Sequence, residues 1–377
     1  MTRSGATFRV ASSHRFHPAH RLNAVCPYYT MFPLDFPLAA LEDARPGEWV
    51  LDPFCGRGTT AFAARLRGLP TVGIDADRVA TAIARAKLVT TTPARIEARC
   101  ESLLTAIPEP REVPVGEFWS LAFHRETLNE LCRLREALLV AGDDDDVLLR
   151  AIVLGILHGP LSVNEPNYLS NQMPRTYATK PGPAVAFWRR HGLEPRRVDL
   201  RAAVARRARY LLASVPEKVE GRIVRADSRT VSPLDLEPRF SHVVTSPPYL
   251  GMRTYRPDQW LRHWFLGGPP SVDYGVDDML PSTPARTFTE ELGKVWAAVA
   301  ELCSPGATLT IRFGALPSVP ADPETVLRTS IEAGGSRWQV ETVTSAGPSS
   351  RGKRQARQMG RAGPAADEID LRARLAA

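Results

Sequence analysis

The feature that most constrains the fold is an alternation of strand and helix patterns between residues 46 and 87. Residues 48–52 have the pattern of a short buried strand, and a glycine-containing turn leads into a helix pattern from about residue 60 to residue 67. The next strand pattern covers residues 71–75, and the next helix pattern covers residues 77–89. This order is typical of a parallel sheet with helices on its faces. The sequence therefore predicts the opening of a doubly wound α/β sheet.

A second stretch of strand and helix patterns begins near residue 222. Its strands are predicted at residues 222–226, 242–245, 307–313 and 338–344, and its amphipathic helix at residues 288–303. We expect both stretches to contribute to one sheet that is interrupted in sequence but continuous in space. The expected fold class is α/β, a Rossmann-like doubly wound sheet with a largely helical insert.

The intervening residues, 106–220, differ in character and are predicted to form that insert. Helical periodicity covers residues 127–140, 147–158 and 198–213. The four aspartates at 143–146 are expected to form a solvated loop, and the polar, proline-punctuated residues 164–183 an extended one. The predicted organisation is a first core part at 1–105, the insert at 106–220, a second core part at 221–350 and a basic C-terminal tail at 351–377. We expect the extreme end of that tail to be loosely held.

Composition excludes several classes of protein. No run of about 18 apolar residues occurs, so neither a membrane span nor a membrane partner is expected. The N-terminal segment lacks the apolar stretch of a signal peptide, which predicts a soluble, cytoplasmic protein. The net charge of +7 is compatible with a polyanionic partner such as a nucleic acid.

The cysteine and histidine patterns favour neither a disulfide framework nor a metal site. No C-x-x-C pair occurs among the five cysteines, which are Cys26, Cys55, Cys100, Cys132 and Cys303. His14, His17 and His20 recur every third residue, which could supply imidazole ligands. Pro18 lies inside this run and disfavours a continuous helix face, so a surface segment is the favoured interpretation. No metal is assigned.

The first motif that carries chemistry spans residues 51–60 and reads LDPFCGRGTT. It lies where a predicted strand ends and a helix begins, and Gly56 and Gly58 allow the backbone to approach a ligand closely. The motif lacks both the G-x-G-x-x-G spacing and the lysine of a phosphate-binding loop. The carboxylate of Asp52 would also repel a phosphate, so the motif suits a cationic or amine-bearing ligand.

An acidic residue follows about 20 positions later, at the end of the second predicted strand. This residue is Asp75, in the sequence Gly73-Ile74-Asp75. A carboxylate at that place can accept hydrogen bonds from ribose hydroxyls. Together with the preceding motif, it predicts an adenosine-containing cofactor that has no pyrophosphate.

The second motif spans residues 243–249 and reads VVTSPPY. Pro247 and Pro248 fix the backbone directly after a buried strand and remove two N–H donors. The carbonyl groups of Ser246 and Pro247 are then expected to face the site as acceptors, and Tyr249 supplies a flat face for stacking. An amine on a planar heterocycle fits such a site, and a base in a duplex would have to be flipped to reach it.

The two motifs resemble those of the amino-methyltransferases that act on DNA, the cytosine-N4 and adenine-N6 family. That family carries Asp-Pro-Phe-x-Gly-x-Gly-Thr-Thr for the cofactor and Ser/Asn/Asp-Pro-Pro-Tyr/Phe for the target amine. The resemblance implies a Rossmann-like S-adenosylmethionine-dependent methyltransferase sheet and a double-stranded DNA substrate with a flipped base. It implies catalytic roles for Ser246, Pro247, Pro248 and Tyr249, and cofactor binding by Asp52, Pro53, Phe54, Gly56, Gly58, Thr59, Thr60, Asp75 and Asp227.

The resemblance also covers lesser positions. Asp227 would lie near the adenine amine of the cofactor, with a helix N-cap as the alternative interpretation. Residues 29–33 and 36–37 are similar to the family's N-terminal segment, which packs beside the cofactor, although core packing would explain their aromatics equally well. Residues 171–177 resemble a stretch found in one subgroup, and no chemistry is assigned to them. Arg57 departs from the family, which mostly has a small residue there, and we expect its side chain to point outward.

The reaction implied by the resemblance is direct methyl transfer to an exocyclic amine. Serine at position 246 favours cytosine N4, and adenine N6 is the alternative. Methylation of guanine N2 in RNA and a catalytically silent nucleic-acid-binding scaffold also stay open. Ring-carbon methylation would need a thiolate in a Pro-Cys context, which neither Cys26 nor Cys55 has.

Partners follow from the same resemblance. A site-specific DNA enzyme of this kind could belong to a restriction-modification system, with a cognate restriction endonuclease as a candidate partner. No oligomeric state follows from the sequence. Candidate contacts to DNA phosphates are the arginine series Arg189, Arg190, Arg196, Arg197, Arg201, Arg206, Arg207 and Arg209, and the second series Arg351, Lys353, Arg354, Arg357 and Arg361. A solvated charged face is the alternative for both series.

Overall fold

The computed structural model describes residues 17–28, 32–140, 142–159, 167–171, 173, 180–232, 239–251, 256–275, 280, 284–314, 321–335, 337–348 and 367–376. Within these residues the strands are β1 (Trp49–Asp52), β2 (Thr71–Asp75), β3 (Gly221–Arg225), β4 (Phe240–Thr245), β5 (Cys303–Gly314), β6 (Trp338–Pro348) and β7 (Asp367–Leu375). They form one sheet of seven strands in the order β3-β2-β1-β4-β5-β7-β6. The predicted fold class and the single sheet are therefore confirmed.

Strand direction determines where ligands can bind in this sheet. The strands from β3 to β5 are mutually parallel, whereas β7 runs antiparallel to both β5 and β6. The order of the strands reverses between β1 and β4, which lie side by side. In open α/β sheets the crevice at the carboxyl ends of such a strand pair is the usual binding site.

Helices cover the sheet and form the insert. The α-helices are α1 (Asp35–Ala40), α2 (Thr59–Leu66), α3 (Arg78–Arg85), α4 (Pro93–Ala106), α5 (Glu117–Ala122), α6 (Arg125–Val140), α7 (Asp144–Ile156), α8 (Pro181–Arg190), α9 (Leu200–Leu211), α10 (Trp260–Phe265), α11 (Ala285–Leu302) and α12 (Pro323–Ala333). Short 3-10 helices span Pro18–Ala24 and Arg256–Gln259. No helix among the described residues is long and apolar enough to cross a membrane.

Strand β1 is buried on both faces, as expected for a central parallel strand. Val50 packs with Ala63 and Ala64 of α2 on one face. Leu51 packs on the other face in a cluster that includes Leu292 and Trp296 of α11. This burial holds the carboxyl end of β1, and the motif that follows it, in a fixed position.

The prediction that the aspartate run at 143–146 forms a solvated loop is wrong. Asp143 caps α7, and a reciprocal capping box joins it to Asp146. Asp145 and Asp146 are buried and form ion pairs with Arg95 and Arg99 of α4 at 2.8 and 2.7 Å. Carboxylates are favourable in the first turn of a helix, and here the arginines compensate for their burial.

The prediction of a loosely held C-terminal end is also wrong, because residues 367–375 form β7 inside the sheet. Leu371, Ala373 and Leu375 alternate with polar residues and are buried. Asp370 pairs with Arg312 of β5 through two hydrogen bonds of 2.7 and 2.6 Å. Both neighbouring strands also supply backbone hydrogen bonds, so this segment is anchored on two sides. The basic part of the predicted tail lies outside the described residues.

Candidate active site

The adjacency of β1 and β4 brings the two sequence motifs together. The Thr245 hydroxyl donates a 2.7 Å hydrogen bond to Oδ1 of Asp52. The Thr60 hydroxyl, at the start of α2, donates a 3.1 Å hydrogen bond to the carbonyl of Val244. The cofactor motif and the proline motif therefore share one polar network at the switch point of the sheet.

Close packing explains the glycines of this loop. Gly58 has a φ of +76°, and a Cβ added there would lie 2.8 Å from Cβ of Ala84 on α3. On β2, a Cβ on Gly73 would lie 2.8 Å from Cβ of Cys55. The loop is therefore clamped between β2 and α3, and any larger residue at Gly58 would strain the backbone and displace α3.

Asp52 is a buried carboxylate with spare hydrogen-bonding capacity. Its side chain is fully inaccessible. Oδ1 accepts hydrogen bonds from Thr245 and from the backbone N–H of Phe54, whereas Oδ2 has no partner among the described residues. Burial raises the pKa of Asp52 to about 6 despite these hydrogen bonds. A positively charged donor at Oδ2 would satisfy the group and stabilise its ionised form.

The carboxylate of Asp75, at the end of β2, holds the cofactor loop through hydrogen bonds. Its Oδ2 accepts a 2.9 Å hydrogen bond from the Gly56 N–H, and its Oδ1 accepts a 2.8 Å hydrogen bond from the Asp77 N–H. Burial, and then the nearby charge of Asp77, raise the pKa of Asp75 to about 7. Each oxygen has a second lone pair, so the carboxylate can still accept from a hydroxyl group.

Asp227 lies after β3 and is held in an ion pair. Its carboxylate accepts hydrogen bonds from the guanidinium of Arg229, with the closest contact at 2.5 Å, and Arg229 also pairs with Glu291 at 2.6 Å. Burial acts to raise the pKa of Asp227, but the hydrogen bonds from Arg229 lower it overall. Residues 228–230 form a turn, so the alternative role as a helix N-cap is not what the structure shows.

The proline motif follows β4 directly, and its residues differ in burial. Pro247 is buried and Pro248 is exposed. In the part of the chain that the structure describes, neither the Ser246 nor the Pro247 carbonyl accepts a hydrogen bond. The role of these two carbonyl groups as acceptors for a ligand stays a prediction.

Tyr249 is held by residues that the sequence did not identify. Its hydroxyl donates a 2.6 Å hydrogen bond to Oε1 of Glu368 on β7. Its ring packs edge-to-face against Phe313, with centroids 5.7 Å apart. Glu368 was assigned to the tail, and only the alternation of residues 368–375 could have indicated its strand.

The remaining motif residues pack around the loop. Phe54 lies edge-to-face against Trp296 of α11 at 6.3 Å, and the Pro53 carbonyl accepts a hydrogen bond from Ser228. Thr59 and Thr60 are buried at the start of α2. The cofactor contacts expected of these residues stay predictions.

The expectation that Arg57 points outward is wrong. Its Nε atom is fully buried and has no hydrogen-bond partner among the described residues. Burial lowers the pKa of Arg57 to about 10. The side chain lies near Cys26 of the N-terminal segment.

Many of the arginines predicted to contact DNA form contacts within the protein instead. Arg207 donates to the carbonyl of Ala24. Other members of the first series pair with carboxylates, namely Arg189 with Glu117, Arg197 with Glu126, Arg201 with Glu101 and Glu130, and Arg209 with Glu97. These pairs support the alternative of a charged protein surface. The series at 351–361, His14 and residues 29–31, 172 and 174–177 lie outside the described residues.

The sheet order defines a Rossmann-like α/β fold, with both motifs at its switch point. Residues 15–86 match the family model described as DNA methylase. This match confirms, for the segment that carries the cofactor loop, the resemblance to the DNA amino-methyltransferases. Among curated proteins, none matches the sequence.

Three of the solved structures that match this chain are distant likenesses. TrmN from Thermus thermophilus is 12% identical, with 95% of this chain and 53% of that protein covered and a TM-score of 0.37, so this chain spans about half its length. The rRNA methyltransferase aviRa from Streptomyces viridochromogenes is 14% identical, with 96% and 93% covered and a TM-score of 0.37. The magnesium protoporphyrin IX methyltransferase of Synechocystis PCC 6803 is 10% identical, with 98% and 100% covered and a TM-score of 0.36. Nothing about substrate follows from likenesses at this level.

The contact between Tyr249 and Glu368 gives a stability prediction. Tyr249→Phe removes a donor from a carboxylate that is only 4% exposed, so we expect the free energy of unfolding to fall by about 1–2 kcal/mol. Glu368→Gln is expected to cost a similar amount, and the double variant less than the sum, because the first change already removes the shared bond. Urea denaturation of the four proteins measures this coupling. Additive losses would show that the two side chains do not interact.

Proposed function

We propose that the chain is a site-specific DNA methyltransferase that uses S-adenosylmethionine to methylate the exocyclic N4 amine of cytosine. The observation that carries the proposal is the link between the two motifs. Asp52, with an unpaired oxygen in the cofactor loop, is hydrogen-bonded to Thr245, and the acceptors of Ser246 and Pro247 follow directly in the chain. In this proposal the cofactor site and the amine-binding site are adjacent.

The residues of the loop fit the proposed cofactor. The unpaired Oδ2 of Asp52 suits an ammonium group such as that of the methionine moiety. The spare lone pairs of Asp75 suit ribose hydroxyls. When bound, S-adenosylmethionine supplies an electrophilic methyl group.

The proline motif would hold the target amine. Carbonyl groups at Ser246 and Pro247 would accept its two hydrogens and favour a pyramidal nitrogen, whose lone pair is otherwise delocalised into the ring. Both groups are fixed before the substrate arrives, so they stabilise the transition state by positioning and by preorganised dipoles. Tyr249 would stack on the flipped base.

The choice of base rests on Ser246, which places a hydroxyl where adenine enzymes of this family more often have a carboxylate. Adenine N6 is the alternative target, and a cognate restriction endonuclease is a candidate partner. The test is expression in a bacterial host that lacks DNA methyltransferases, followed by modification-sensitive sequencing of its genome. N4-methylcytosine at a recurring short sequence is the expected result. N6-methyladenine would select the alternative, and an unmodified genome would contradict a DNA substrate.

A further inference from the structure

A histidine on α10 contacts the residue that caps α3, next to the carboxylate of Asp75. Nε2 of His263 lies 3.0 Å from Oδ2 of Asp77. Oδ1 of Asp77 accepts from the N–H groups of Val79 and Ala80, and the Asp77 N–H donates a 2.8 Å hydrogen bond to Oδ1 of Asp75. His263 is therefore linked to Asp75 through a single residue.

Helix α10 holds this histidine in a fixed position. All six residues of the helix are buried. Trp260 and Trp264 pack against Trp119 of α5, with ring centroids 5.7 and 4.6 Å apart. The helix is thereby anchored in the insert, and His263 cannot leave Asp77 without disrupting this packing.

The contact between His263 and Asp77 acts through charge. The ring N–H is not aligned for a hydrogen bond with the carboxylate, so the attraction is strongest when the ring is protonated. Burial acts to raise the pKa of Asp77, but the contact with His263 lowers it overall. Asp77 therefore stays ionised beside Asp75, and a cation at His263 offsets the effect of that charge on Asp75.

Other titratable groups face Asp75 from neighbouring elements. Asp52 of β1 repels its charge and has a pKa raised by burial to about 6. Burial raises the pKa of the Cys55 thiol well above its usual value, so the thiol stays neutral. Arg225 of β3 lies opposite Asp75 in the sheet and donates to the Ala76 carbonyl. Asp52 is thus the group whose titration overlaps with that of Asp75.

The arginines around α10 donate to backbone carbonyls. They are Arg78 of α3, Arg135 of α6 and Arg262 of α10 itself. Arginine stays protonated throughout the neutral range, whereas histidine changes its charge between about pH 5 and pH 8. His263 is therefore the residue of this helix whose charge depends on pH.

We infer that His263 is a positioning residue for the cofactor, because its charge keeps Asp75 ionised and able to accept from the ribose hydroxyls. This role rests on the proposed function. An ionised carboxylate offers only acceptors, whereas protonation turns one of its oxygens into a donor. Loss of the imidazole is expected to weaken ribose binding where Asp75 is partly protonated, since burial and the charge of Asp77 raise its pKa to about 7.

The test follows the binding of 5′-methylthioadenosine by isothermal titration calorimetry between about pH 5.5 and pH 9. This ligand keeps the ribose but lacks the ammonium group that Asp52 is proposed to bind. For His263→Gln, we expect the midpoint of the fall in affinity on acidification to rise by about 0.5 pH units. Affinity then drops about 3-fold near pH 6 and is unchanged near pH 9. His191→Gln, an exposed histidine that follows α8, is the matched control and is expected to leave the midpoint unchanged.

A second variant, Asp77→Asn, tests the route between His263 and Asp75. Asparagine keeps an oxygen that can cap α3 but removes the charge beside Asp75. The midpoint is therefore expected to fall by a similar amount, with affinity about 3-fold higher near pH 6. In the double variant, His263→Gln is expected to have no further effect, because the charge that it offsets is gone.

The outcomes separate this inference from the function on which it rests. An unchanged midpoint in His263→Gln, the same loss of affinity at every pH, or an equal loss in the Asp77→Asn background would overturn the role of His263. If the wild type binds S-adenosylhomocysteine in the same experiment, the proposed cofactor stands in each of these cases. Absence of binding of both ligands by the wild type would overturn the proposed function together with the inference.

Discussion

Asp52→Asn is expected to abolish cofactor binding and at the same time to stabilise the free protein at neutral pH. The wild-type carboxylate is fully buried, and burial raises its pKa from 3.8 to about 6. The neutral amide avoids the cost of burying a charge, and its oxygen can still accept from Thr245 and Phe54. A shift of about two pKa units corresponds to roughly 3 kcal/mol, so we expect a gain on the order of 2 kcal/mol. The ammonium of the ligand loses its carboxylate partner, which is expected to weaken binding at least 100-fold.

The gain in stability of Asp52→Asn over the wild type depends on pH in a defined direction. Since the pKa of Asp52 is raised in the folded state, folded wild-type protein binds more protons than unfolded protein between about pH 4 and pH 6. Wild-type stability therefore falls as the pH rises through this window. The advantage of Asp52→Asn is greatest above about pH 6 and vanishes near pH 4.

Urea denaturation at pH 4, 6 and 8, together with calorimetry using S-adenosylhomocysteine, measures both effects. The matched control is Asp322→Asn, which changes an exposed cap of α12 and is expected to leave binding intact. A variant at Asp52 that is less stable than the wild type at pH 8, or that retains wild-type affinity, would contradict this account of the carboxylate.

The second large effect concerns Tyr249. Tyr249→Ala removes the flat face on which the target base is proposed to stack, so we expect the rate of methyl transfer at limiting DNA to fall about 10- to 100-fold. Cofactor affinity is expected to remain within about twofold, because Tyr249 contacts Phe313 and Glu368 rather than the cofactor loop.

Tyr249→Phe separates stacking from stability. It keeps the ring but removes the donor to Glu368, so it is expected to lose stability while retaining most of the transfer rate. Rates measured with labelled cofactor on double-stranded DNA, at a temperature where all variants are folded, give the comparison. A Phe variant as inactive as the Ala variant would assign the loss to the hydroxyl group instead of the aromatic face.

The parts of the fold that the sequence predicted well are those determined by local pattern. Strand β2 has the predicted bounds, and β1 and α2 begin within one residue of theirs. Gly56 and Gly58 identify the loop between β1 and α2, because glycine is the residue type that best suits the positive φ observed at both positions. The two motifs could be placed together from the order of elements alone, since parallel strands end at the same edge of a sheet.

The errors arose where distant residues decide the outcome. Asp145 and Asp146 are buried because arginines of α4, about 50 positions earlier, compensate for their charge. The sequence of β7 contains arginines between its apolar residues, which hides the strand pattern. Its pairing with β5 and β6 makes it an interior strand of the sheet. Arg57 lies near Cys26, which is distant in sequence, and no local pattern indicates that contact.

The most direct test of the central claim is transfer of a labelled methyl group from S-adenosylmethionine to unmethylated double-stranded DNA. The DNA is digested to nucleosides, and the labelled species is identified by mass spectrometry, with Tyr249→Ala and Asp52→Asn as controls. We predict label on the exocyclic amine of cytosine, strongly reduced in the first control and absent in the second. Label on transfer RNA or ribosomal RNA, but not on DNA, would indicate that the substrate is RNA. No transfer to either, without cofactor binding, would contradict the methyltransferase function and leave a nucleic-acid-binding scaffold.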